Sequence, residues 1–417
     1  MSNTFKVIDM IAKESLAIAH EKATFVSTID RQYDESFKPQ NIGGGRIGGT
    51  LRVKEPNRYT RRQGSRVMDI QDTEETTQTL TLATQDGVDM RFTSADLALN
   101  VDNPSEVAAF SKRFIEPALG VLISGIDGDC LTTRTKGTYN LVGTAGTAVG
   151  ASGDITALGL ARARLNQGLA PKDMNRSLQL DSVTMASIVN ANKGLFMPEG
   201  QIKKAFTEGY YGRSAMADFY ENERTYSHGN GSDVTGTTDA AAGVTDGGST
   251  VSADTAAPVT LTVGSVFTIA GVYACHPETK ASLGYLQQFT NTAGTGSGGD
   301  MTVSPTIYLT GAKQNVCSAS GAQLATTDFN SKTITVVGSA DTSYKHNLMY
   351  HRDAAAFVMA DMPVMDDAHK CVVRRDEGFS IRVWMASDIR NDELLVRLDV
   401  LYGFKLFRPE WSCRITN

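Results

Sequence analysis

Residues 379–404 read FSIRVWMASDIRNDELLVRLDVLYGF, the most regular pattern in this 417-residue chain. Apolar residues alternate with polar residues over 379–385 and again over 394–404. A period of two indicates a strand with one buried face. Asn391 and Asp392, which favour turns, stand between the two runs. The pattern therefore predicts two long antiparallel strands.

Helical patterns precede these strands. Asn103, Pro104 and Glu106 supply an N-cap, a proline at the first helical position and a glutamate at the third, which together signal a helix start. An apolar stripe follows, so we predict one long helix from Pro104 to about Leu131, kinked near Pro117. Two shorter helices are predicted over about 154–167 and 181–193. The chain is thus of mixed α+β class.

The middle of the chain changes in composition. Residues 229–258 contain four Asp and no Lys or Arg among mostly small and polar residues, which predicts a loop or linker. Short β-prone runs then alternate with glycine-rich loops over 259–337. This alternation predicts a small β domain inserted into the main one.

The N-terminus has a different character. Residues 1–25 read as an amphipathic helix whose apolar positions include Val7, Ile11 and Ile18. Such a helix needs a partner surface. Periodicity is lost over 27–39, where polar residues dominate, so we predict an extended arm.

A strongly charged segment follows a glycine-rich stretch at 41–50. Its first part is basic and its second part is acidic, before an alternating strand and a predicted turn at Asp86-Gly87. Such a hairpin has few apolar residues of its own and should lie across another surface. We favour ion pairs between subunits, with a solvated surface and nucleic-acid binding left open as alternatives. The candidate residues are Arg52, Lys54, Arg58, Arg61, Arg62 and Arg66 on the basic limb, and Asp69, Asp72, Glu74 and Glu75 on the acidic limb.

Composition excludes several classes of protein. Forty Lys and Arg against 46 Asp and Glu give a net charge of −6, which argues against a chain that mainly binds nucleic-acid phosphates. No apolar run approaches the ~20 residues that a membrane helix needs, and no secretory signal is evident, so we expect an intracellular chain after synthesis. The five cysteines are scattered without a C-x-x-C pair, which favours free packed thiols.

Two patterns suggest chemistry only weakly. Residues 43–48, GGGRIG, match G-x-G-x-x-G, but no strand precedes them and no helix follows, so a flexible hinge is favoured over a nucleotide site. His351, Asp353 and His369 lie in a region dense in potential metal ligands, without the spacing of a known zinc motif. A metal-dependent hydrolase at these residues is kept as a rival. We predict no catalytic, metal-binding or cofactor-binding residue.

Several blocks near the C-terminus resemble the P22-like family of major coat proteins of tailed bacteriophages. They include NLMYHRDA at 347–354, GFSIRVW at 378–384, RLDVLYG at 397–403 and RPE at 408–410. Residues 264–272 are similar to the start of that family's inserted β-barrel. The residues that carry the family pattern are Asn347, His351, Asp353, Tyr402, Gly403, Arg408, Pro409 and Glu410.

The resemblance implies an HK97-type capsid fold. Its parts would be an N-terminal arm at 1–42, an extended loop at 43–92, an inserted β domain at 227–343, and peripheral and axial domains at 93–226 and 344–417. The predicted helix at Pro104 would be the spine helix of that fold.

The resemblance also implies a structural, non-catalytic function without cofactors. The chain would assemble as hexamers and pentamers into an icosahedral shell around double-stranded DNA, which it would not bind sequence-specifically. Implied partners are a scaffolding protein, a portal protein and, in some shells, decoration proteins, with no membrane. Assembly would occur in the host bacterial cytoplasm, and the final location would be the virion capsid. An encapsulin-like compartment is the alternative that shares this fold.

Overall fold

The structure is a computed structural model. It describes residues 23–33, 49–62, 64, 66–68, 70–71, 75–93, 114–151, 155–191, 213–214, 216–294, 299–365, 370–376 and 379–417. Contacts divide the chain into two compact units. Unit 1 draws its described residues from Met1–Val53, Thr77–Cys130 and Ala355–Lys405, and unit 2 draws them from Lys54–Thr76, Leu131–Ala354 and Leu406–Asn417.

Strands outnumber helices in the described part of the chain, and the predicted mixed α+β class is confirmed. The α-helices are α1 (Glu116–Gly137), α2 (Thr156–Gln167) and α3 (Ser182–Ala191). Short 3-10 turns cover Val26–Thr28, Thr326–Phe329, Arg352–Ala354 and Pro409–Trp411. The strands are β1 (Thr50–Lys54), β2 (Thr77–Thr81), β3 (Thr84–Thr93), β4 (Leu141–Val142), β5 (Arg176–Leu180), β6 (Arg213–Ser214), β7 (Ala217–Glu221), β8 (Tyr226–Gly229), β9 (Thr235–Thr237), β10 (Gly248–Ser252), β11 (Val266–Cys275), β12 (Ser282–Ala293), β13 (Asp300–Ile307), β14 (Val316–Cys317), β15 (Thr333–Val336), β16 (Ser343–His351), β17 (Ala355–Ala360), β18 (Lys370–Asp376), β19 (Phe379–Asp388), β20 (Glu393–Leu406) and β21 (Ser412–Thr416).

Unit 1 contains a five-stranded sheet in the order β17-β20-β19-β18, with β3 also paired to β20. The two long strands predicted from alternation are confirmed as β19 and β20, which pair antiparallel with Trp384 opposite Arg397. Ile381, Val383, Leu398 and Val400 are buried, as expected for the apolar positions of the alternating pattern.

The predicted turn at Asp86-Gly87 is wrong, because both residues lie inside β3. Gly87 is opposite Asp399 in β20. A Cβ atom at residue 87 would lie 2.7 Å from the carbonyl oxygen of Leu398. The glycine therefore permits a close approach of two strand backbones, which is the other common reason for glycine in a strand.

The N-terminal segment of unit 1 is packed where an extended arm was predicted. Phe25, Val26 and Ile29 are buried. The carboxylate of Asp127 in α1 accepts hydrogen bonds from the backbone N–H groups of Phe25 and Val26, both at 2.9 Å. Ile29 of the predicted arm is thus packed, and the arm itself stays a prediction. Residues 34–39, and the helix with Val7, Ile11 and Ile18, lie outside the described residues.

The long helix also differs from its prediction. Its proposed start at Pro104 lies outside the described residues, and α1 begins at Glu116 with Pro117 in its first turn, where proline is tolerated. The helix continues to Gly137, so the predicted end at Leu131 is wrong. The continuation is stabilised because the guanidinium of Arg134 stacks on the Tyr350 ring at 4.0 Å and donates to His351 O at 3.0 Å.

Unit 2 contains a seven-stranded sheet in the order β4-β21-β16-β5-β7-β6, with β8 also paired to β16. Leu158 and Leu165 of α2 and Ile188 of α3 pack with Met349 and Ile415 of this sheet in one core. The two shorter predicted helices are confirmed, although residues 192 and 193 of the second lie outside the described residues. None of the helices described here is long and apolar enough to cross a bilayer.

A second seven-stranded sheet in unit 2 has the order β10-β13-β12-β11-β15-β9, with β14 paired to β11. The prediction of a loop or linker over 229–258 is wrong, because this tract supplies β9 and β10 and buries Ala242, Val244 and Val251. Its small apolar residues add to a core built around Phe267 and Phe289, so the tract needs no core of its own. The limits 227–343 of an inserted domain, and its barrel form, stay predictions.

Candidate functional site

The charged segment predicted from the sequence forms a hairpin, here called the charged hairpin (residues 50–81). Strands β1 and β2 are hydrogen-bonded to each other. Flanking bonds join Glu55 N to Thr76 O at 2.9 Å and Leu82 N to Gly49 O at 2.7 Å. These pairs run in opposite directions along the two limbs, so the basic and acidic limbs lie side by side.

Two basic residues of the hairpin pair with acids of their own chain. Lys54 Nζ lies 2.8 Å from Glu75 Oε2, with both side chains well exposed. Arg58 Nη2 lies 3.6 Å from Glu410 Oε1. The exposed Lys54–Glu75 pair contributes about 0–1 kcal/mol, so it orients the two limbs more than it stabilises them. The predicted contacts of Lys54, Arg58 and Glu75 with another subunit stay predictions.

The tip of the hairpin is tied by hydrogen bonds to the backbone. Gln71 Nε2 donates to Thr60 O at 2.7 Å, and Thr60 N donates to Gln71 Oε1 at 2.8 Å. Arg62 Nη1 donates to Val67 O. The tip is therefore bridged across its limbs.

The remaining predicted residues of the hairpin divide into two groups. Arg52, Arg61 and Arg66 are exposed on the basic limb. The acidic residues Asp69, Asp72 and Glu74 lie outside the described residues.

The tip also exposes apolar side chains, which the sequence reasoning missed. Val67, Met68 and Ile70 are 76%, 78% and 82% exposed. Adjacent exposed apolar residues of this size mark interaction surfaces more often than solvated loops. The available signal was an apolar run, interrupted only by Asp69, within an otherwise polar segment.

The family-pattern residue His351 is fully buried in unit 2. Its Nε2 lies 2.8 Å from Asp173 Oδ1, and its Nδ1 accepts a hydrogen bond from the backbone N–H of Asp353 at 3.2 Å. The ring of Trp411 meets the imidazole edge-on at 5.5 Å. Burial acts to raise the pKa of Asp173, but hydrogen bonds from His351 and Asn175 outweigh it and lower that pKa. Asp173 is distant in sequence, and no local pattern pointed to it.

The RPE block forms a short turn that packs on the loop after α2. Pro409 begins the turn, and the guanidinium of Arg408 lies 4.1 Å above the Trp411 ring. Trp411 Nε1 donates to Gly168 O at 3.0 Å. Burial raises the pKa of Glu410, while Arg58 and Arg408 act in the opposite direction.

The other family-pattern residues also hold elements together. Asn347 Oδ1 accepts a hydrogen bond from Asp181 N at 3.1 Å, which joins β16 to the start of α3. In unit 1, Tyr402 stacks on Phe357 at 5.8 Å, and burial followed by the charge of Asp86 raises the pKa of Tyr402. Gly403 approaches the carbonyl of Thr81 so closely that a side chain would collide with it. These contacts give the motif residues structural roles.

The rival metal site is not assembled by the residues that the structure describes. Among them, no group of three or more His, Cys, Asp and Glu side chains could hold a metal ion. His369 lies outside the described residues, as does the glycine-rich stretch 43–48.

A fully buried arginine, which no sequence pattern indicated, joins three elements of unit 2. Arg414 Nη1 donates to Gly264 O at 2.6 Å, and its Nη2 donates to Lys136 O at 2.8 Å and Thr290 Oγ1 at 3.0 Å. Burial lowers the pKa of Arg414 to about 9, with Tyr226 and Cys413 acting in the opposite direction. The side chain thus ties β21 to the end of α1 and to the second sheet.

Two buried histidines, here called the histidine pair (His228 and His346), lie beside this arginine. Their ring centroids are 5.7 Å apart. His228 Nδ1 bonds to Tyr226 OH and its Nε2 to Ser265 Oγ, both at 3.1 Å. Burial, together with the charges of Arg414 and Lys136, lowers the pKa of His228 to about 4. Burial and then Arg414 place the pKa of His346 well below its usual range.

A comparison with known families gives a match for one region. Residues 231–413 match the family model described as P22 coat protein - gene protein 5. Over these residues, which make up less than half of the chain, the sequence is similar to that family. All eight family-pattern residues lie inside the matched region, and the predicted relationship is confirmed. The structural roles of the motif residues agree with this resemblance to a phage coat protein.

Several solved structures are similar to this chain at low sequence identity. One from Mycobacterium phage Che8 is 10% identical, with a TM-score of 0.49, and covers 94% of this chain and 90% of its own. The mature capsid of bacteriophage PhiM1 is 10% identical, with a TM-score of 0.41 and coverage of 88% and 82%. A virus-like particle from Pyrococcus furiosus is 7% identical, with a TM-score of 0.37 and coverage of 98% of both chains. No curated protein matches by sequence. The family assignment rests on the sequence match alone.

Proposed function

We propose that this chain is the major capsid protein that assembles, with a scaffolding protein, into the icosahedral shell enclosing the double-stranded DNA of a tailed phage. The observation that carries the proposal is the match of residues 231–413 to the P22 coat protein family. Within the proposal, the fold is of HK97 type and copies meet as hexamers and pentamers. Assembly takes place in the host bacterial cytoplasm, and a portal protein is a further partner.

The charged hairpin is the surface that we assign to contacts between copies. Met68 and Ile70 stand almost fully in solvent at its tip. Burying one such side chain contributes about 1.5–3 kcal/mol relative to leaving it exposed. A neighbouring subunit would supply that burial, and each subunit repeats the contact, so individually modest contacts close a symmetric shell.

The charges of the hairpin would select the position of the neighbour. Arg61 and Arg66 project from the basic limb into solvent. An acidic surface on the next subunit would attract them and fix the register of the contact. The net charge of −6 would meanwhile limit adhesion of the shell to the enclosed DNA.

The test is charge reversal in the hairpin. The double substitution Arg61→Glu and Arg62→Glu should leave the monomer folded but impair assembly. Replacing two surface attractions by repulsions costs about 1–3 kcal/mol per subunit, which raises the concentration needed for assembly about 5- to 150-fold. Light scattering and negative-stain microscopy with the scaffolding protein measure this threshold.

Two further variants separate charge from local structure. Arg61→Glu alone leaves the bond between Arg62 and Val67 in place and should give part of the effect. Arg390→Glu reverses an exposed arginine in the turn between β19 and β20 and serves as the matched control. Normal shell yield from the double variant at ordinary salt would contradict the assignment of this surface.

A further inference from the structure

Three buried side chains of unit 2 share one face of the sheet that contains β16 and β21. Arg414 and Thr416 lie two residues apart on β21, so their side chains stand on the same face. His346 of β16 is directly opposite Thr416 in the antiparallel register. Arg414 and Thr416 are fully buried, and His346 is 4% exposed. We call these three residues the polar triangle.

Each member of the polar triangle has a buried polar atom that finds no hydrogen-bond partner among the described residues. These atoms are Nε of Arg414, Nδ1 of His346 and Oγ1 of Thr416. Native proteins pair the great majority of their buried polar groups with protein atoms, water or an ion, because an unpaired group loses its hydration without compensation. Three such atoms on one face of two paired strands therefore point to a common partner that the chain itself does not supply.

The spacing of the three side chains fits a partner of about the size of one water molecule. Residues opposite each other in an antiparallel pair have Cβ atoms about 4.5–5.5 Å apart, and residues two apart on one strand are separated by about 6.5 Å. A monatomic ion between the side chains can contact all three unpaired atoms. A sulfate or phosphate group, with four oxygen atoms, would need more space and more donors.

The charge around the polar triangle favours an anion over water. Within the described residues, the hydrogen bonds of the Arg414 guanidinium go to two carbonyl oxygens and one hydroxyl, and none goes to a carboxylate. A second cation is close, since Lys136 Nζ lies 5.2 Å from the centre of the Tyr226 ring, which meets His346 edge-on at 6.4 Å. Buried charges in proteins are paired with an opposite charge. Water would satisfy the three atoms but leave the charge of Arg414 uncompensated, whereas an anion does both.

We propose that Arg414, His346 and Thr416 form a buried binding site for one small monovalent anion of the halide class. Arg414 donates through Nε–H, Thr416 through its hydroxyl, and His346 through Nδ1–H in the tautomer that carries its proton on that nitrogen. The ion would join β16 to β21 and offset the charge of Arg414, the residue that also binds the second sheet. The inference uses none of the residues assigned to assembly and is independent of the proposed function.

The test is urea unfolding of the full chain at pH 7.5 with increasing sodium bromide. Sodium gluconate, whose anion is too large for the site, keeps the ionic strength constant, and hydrogen exchange of peptides from β16 and β21 locates the effect. One bound ion predicts that, above the dissociation constant, each tenfold rise in bromide lowers the unfolding equilibrium constant about tenfold. An unfolding constant that does not depend on bromide would mean that water alone occupies the polar triangle, and it would overturn the proposal.

Two variants show whether the polar triangle is responsible. Thr416→Val keeps the branched shape but removes the hydroxyl, so half-maximal stabilisation should need about 10- to 150-fold more bromide. Thr225→Val removes another buried hydroxyl without a partner in the described chain, before β8, and should keep the wild-type bromide dependence as the matched control. Equal bromide dependence in Thr416→Val and the wild type would overturn the proposal.

Crystals grown in bromide locate the ion without any substitution. Anomalous diffraction from the wild-type chain should show one bromide between Nε of Arg414, Nδ1 of His346 and Oγ1 of Thr416. Bromide found only at the protein surface would identify an adventitious ion only. That result would overturn the proposal even if the stability depended on bromide.

Discussion

We expect acidic pH to lower the stability of unit 2 because His228 is buried there in its neutral form. The ring is 2% exposed and faces the charged groups Arg414 and Lys136, the phenol of Tyr226 and the second imidazole, His346. These surroundings hold the pKa of His228 at about 4, against an ordinary 6.5. The folded protein therefore keeps the ring neutral at a pH where the unfolded chain protonates it.

The sign and magnitude of the change in the free energy of unfolding follow from this difference in pKa between the folded and unfolded states. Above about pH 6.5 both states are neutral, and the full stability is present. As the pH falls from 6.5 toward 4, only the unfolded state binds the proton, so the free energy of unfolding decreases. At 1.36 kcal/mol per pH unit, His228 alone accounts for a loss of about 2 kcal/mol at pH 5 and about 3 kcal/mol at pH 4. His346 contributes in the same direction.

The assay compares urea unfolding of the wild type and His228→Gln at pH 7.5, 6 and 5. Hydrogen exchange of peptides from β8 and β16 locates the effect in unit 2. Glutamine cannot be protonated and keeps a hydrogen-bonding group near Ser265, so the variant should lose about 2 kcal/mol less than the wild type between pH 7.5 and pH 5. His276→Gln, in the turn after β11, is the matched control and should retain the wild-type pH dependence.

Equal pH dependence in the wild type and His228→Gln would refute the reasoning. That result would mean that the folded state accommodates the imidazolium without cost, despite the neighbouring Arg414. A reversed effect, with the wild type gaining stability in acid, would refute it equally.

Four substitutions test the packing contacts by chemical denaturation. Gly87→Val should lower the free energy of unfolding by about 1–3 kcal/mol because its side chain would meet the backbone of β20, whereas Gly125→Ala, in an open position on α1, should raise it by up to about 1 kcal/mol. Asp127→Ala should cost about 1–3 kcal/mol and increase proteolysis within 23–33, since buried N–H groups lose their acceptor. Arg414→Met should cost about 2–5 kcal/mol and increase hydrogen exchange at the end of α1, and a loss below 1 kcal/mol would contradict its role as a tie between elements.

Predictions based on local patterns succeeded where the responsible physics is local. Strands β19 and β20 follow from alternation, and α2 and α3 follow from helix start and stop signals, because both kinds of pattern are properties of a single segment. The family pattern was also visible in the sequence, since its residues form continuous blocks.

Predictions failed where the structural role of a residue depends on a partner that is distant in the sequence. Gly87 looked like a turn residue, but β20 uses it for a close backbone approach. Residues 229–258 looked too polar to fold, but strands β13 and β15 already offer edges and a core. The exposed apolar tip of the charged hairpin was missed because charge dominates that segment.

The amino-acid sequence by itself therefore determined the α+β class, the two long strands and the coat-protein family, because each is written in consecutive residues. Only the tertiary structure decided that Asp127 binds the N-terminal segment and that Arg414 joins three elements. Each of these contacts joins residues far apart along the chain. Their strength depends on burial, which exists only after the separate segments have packed together.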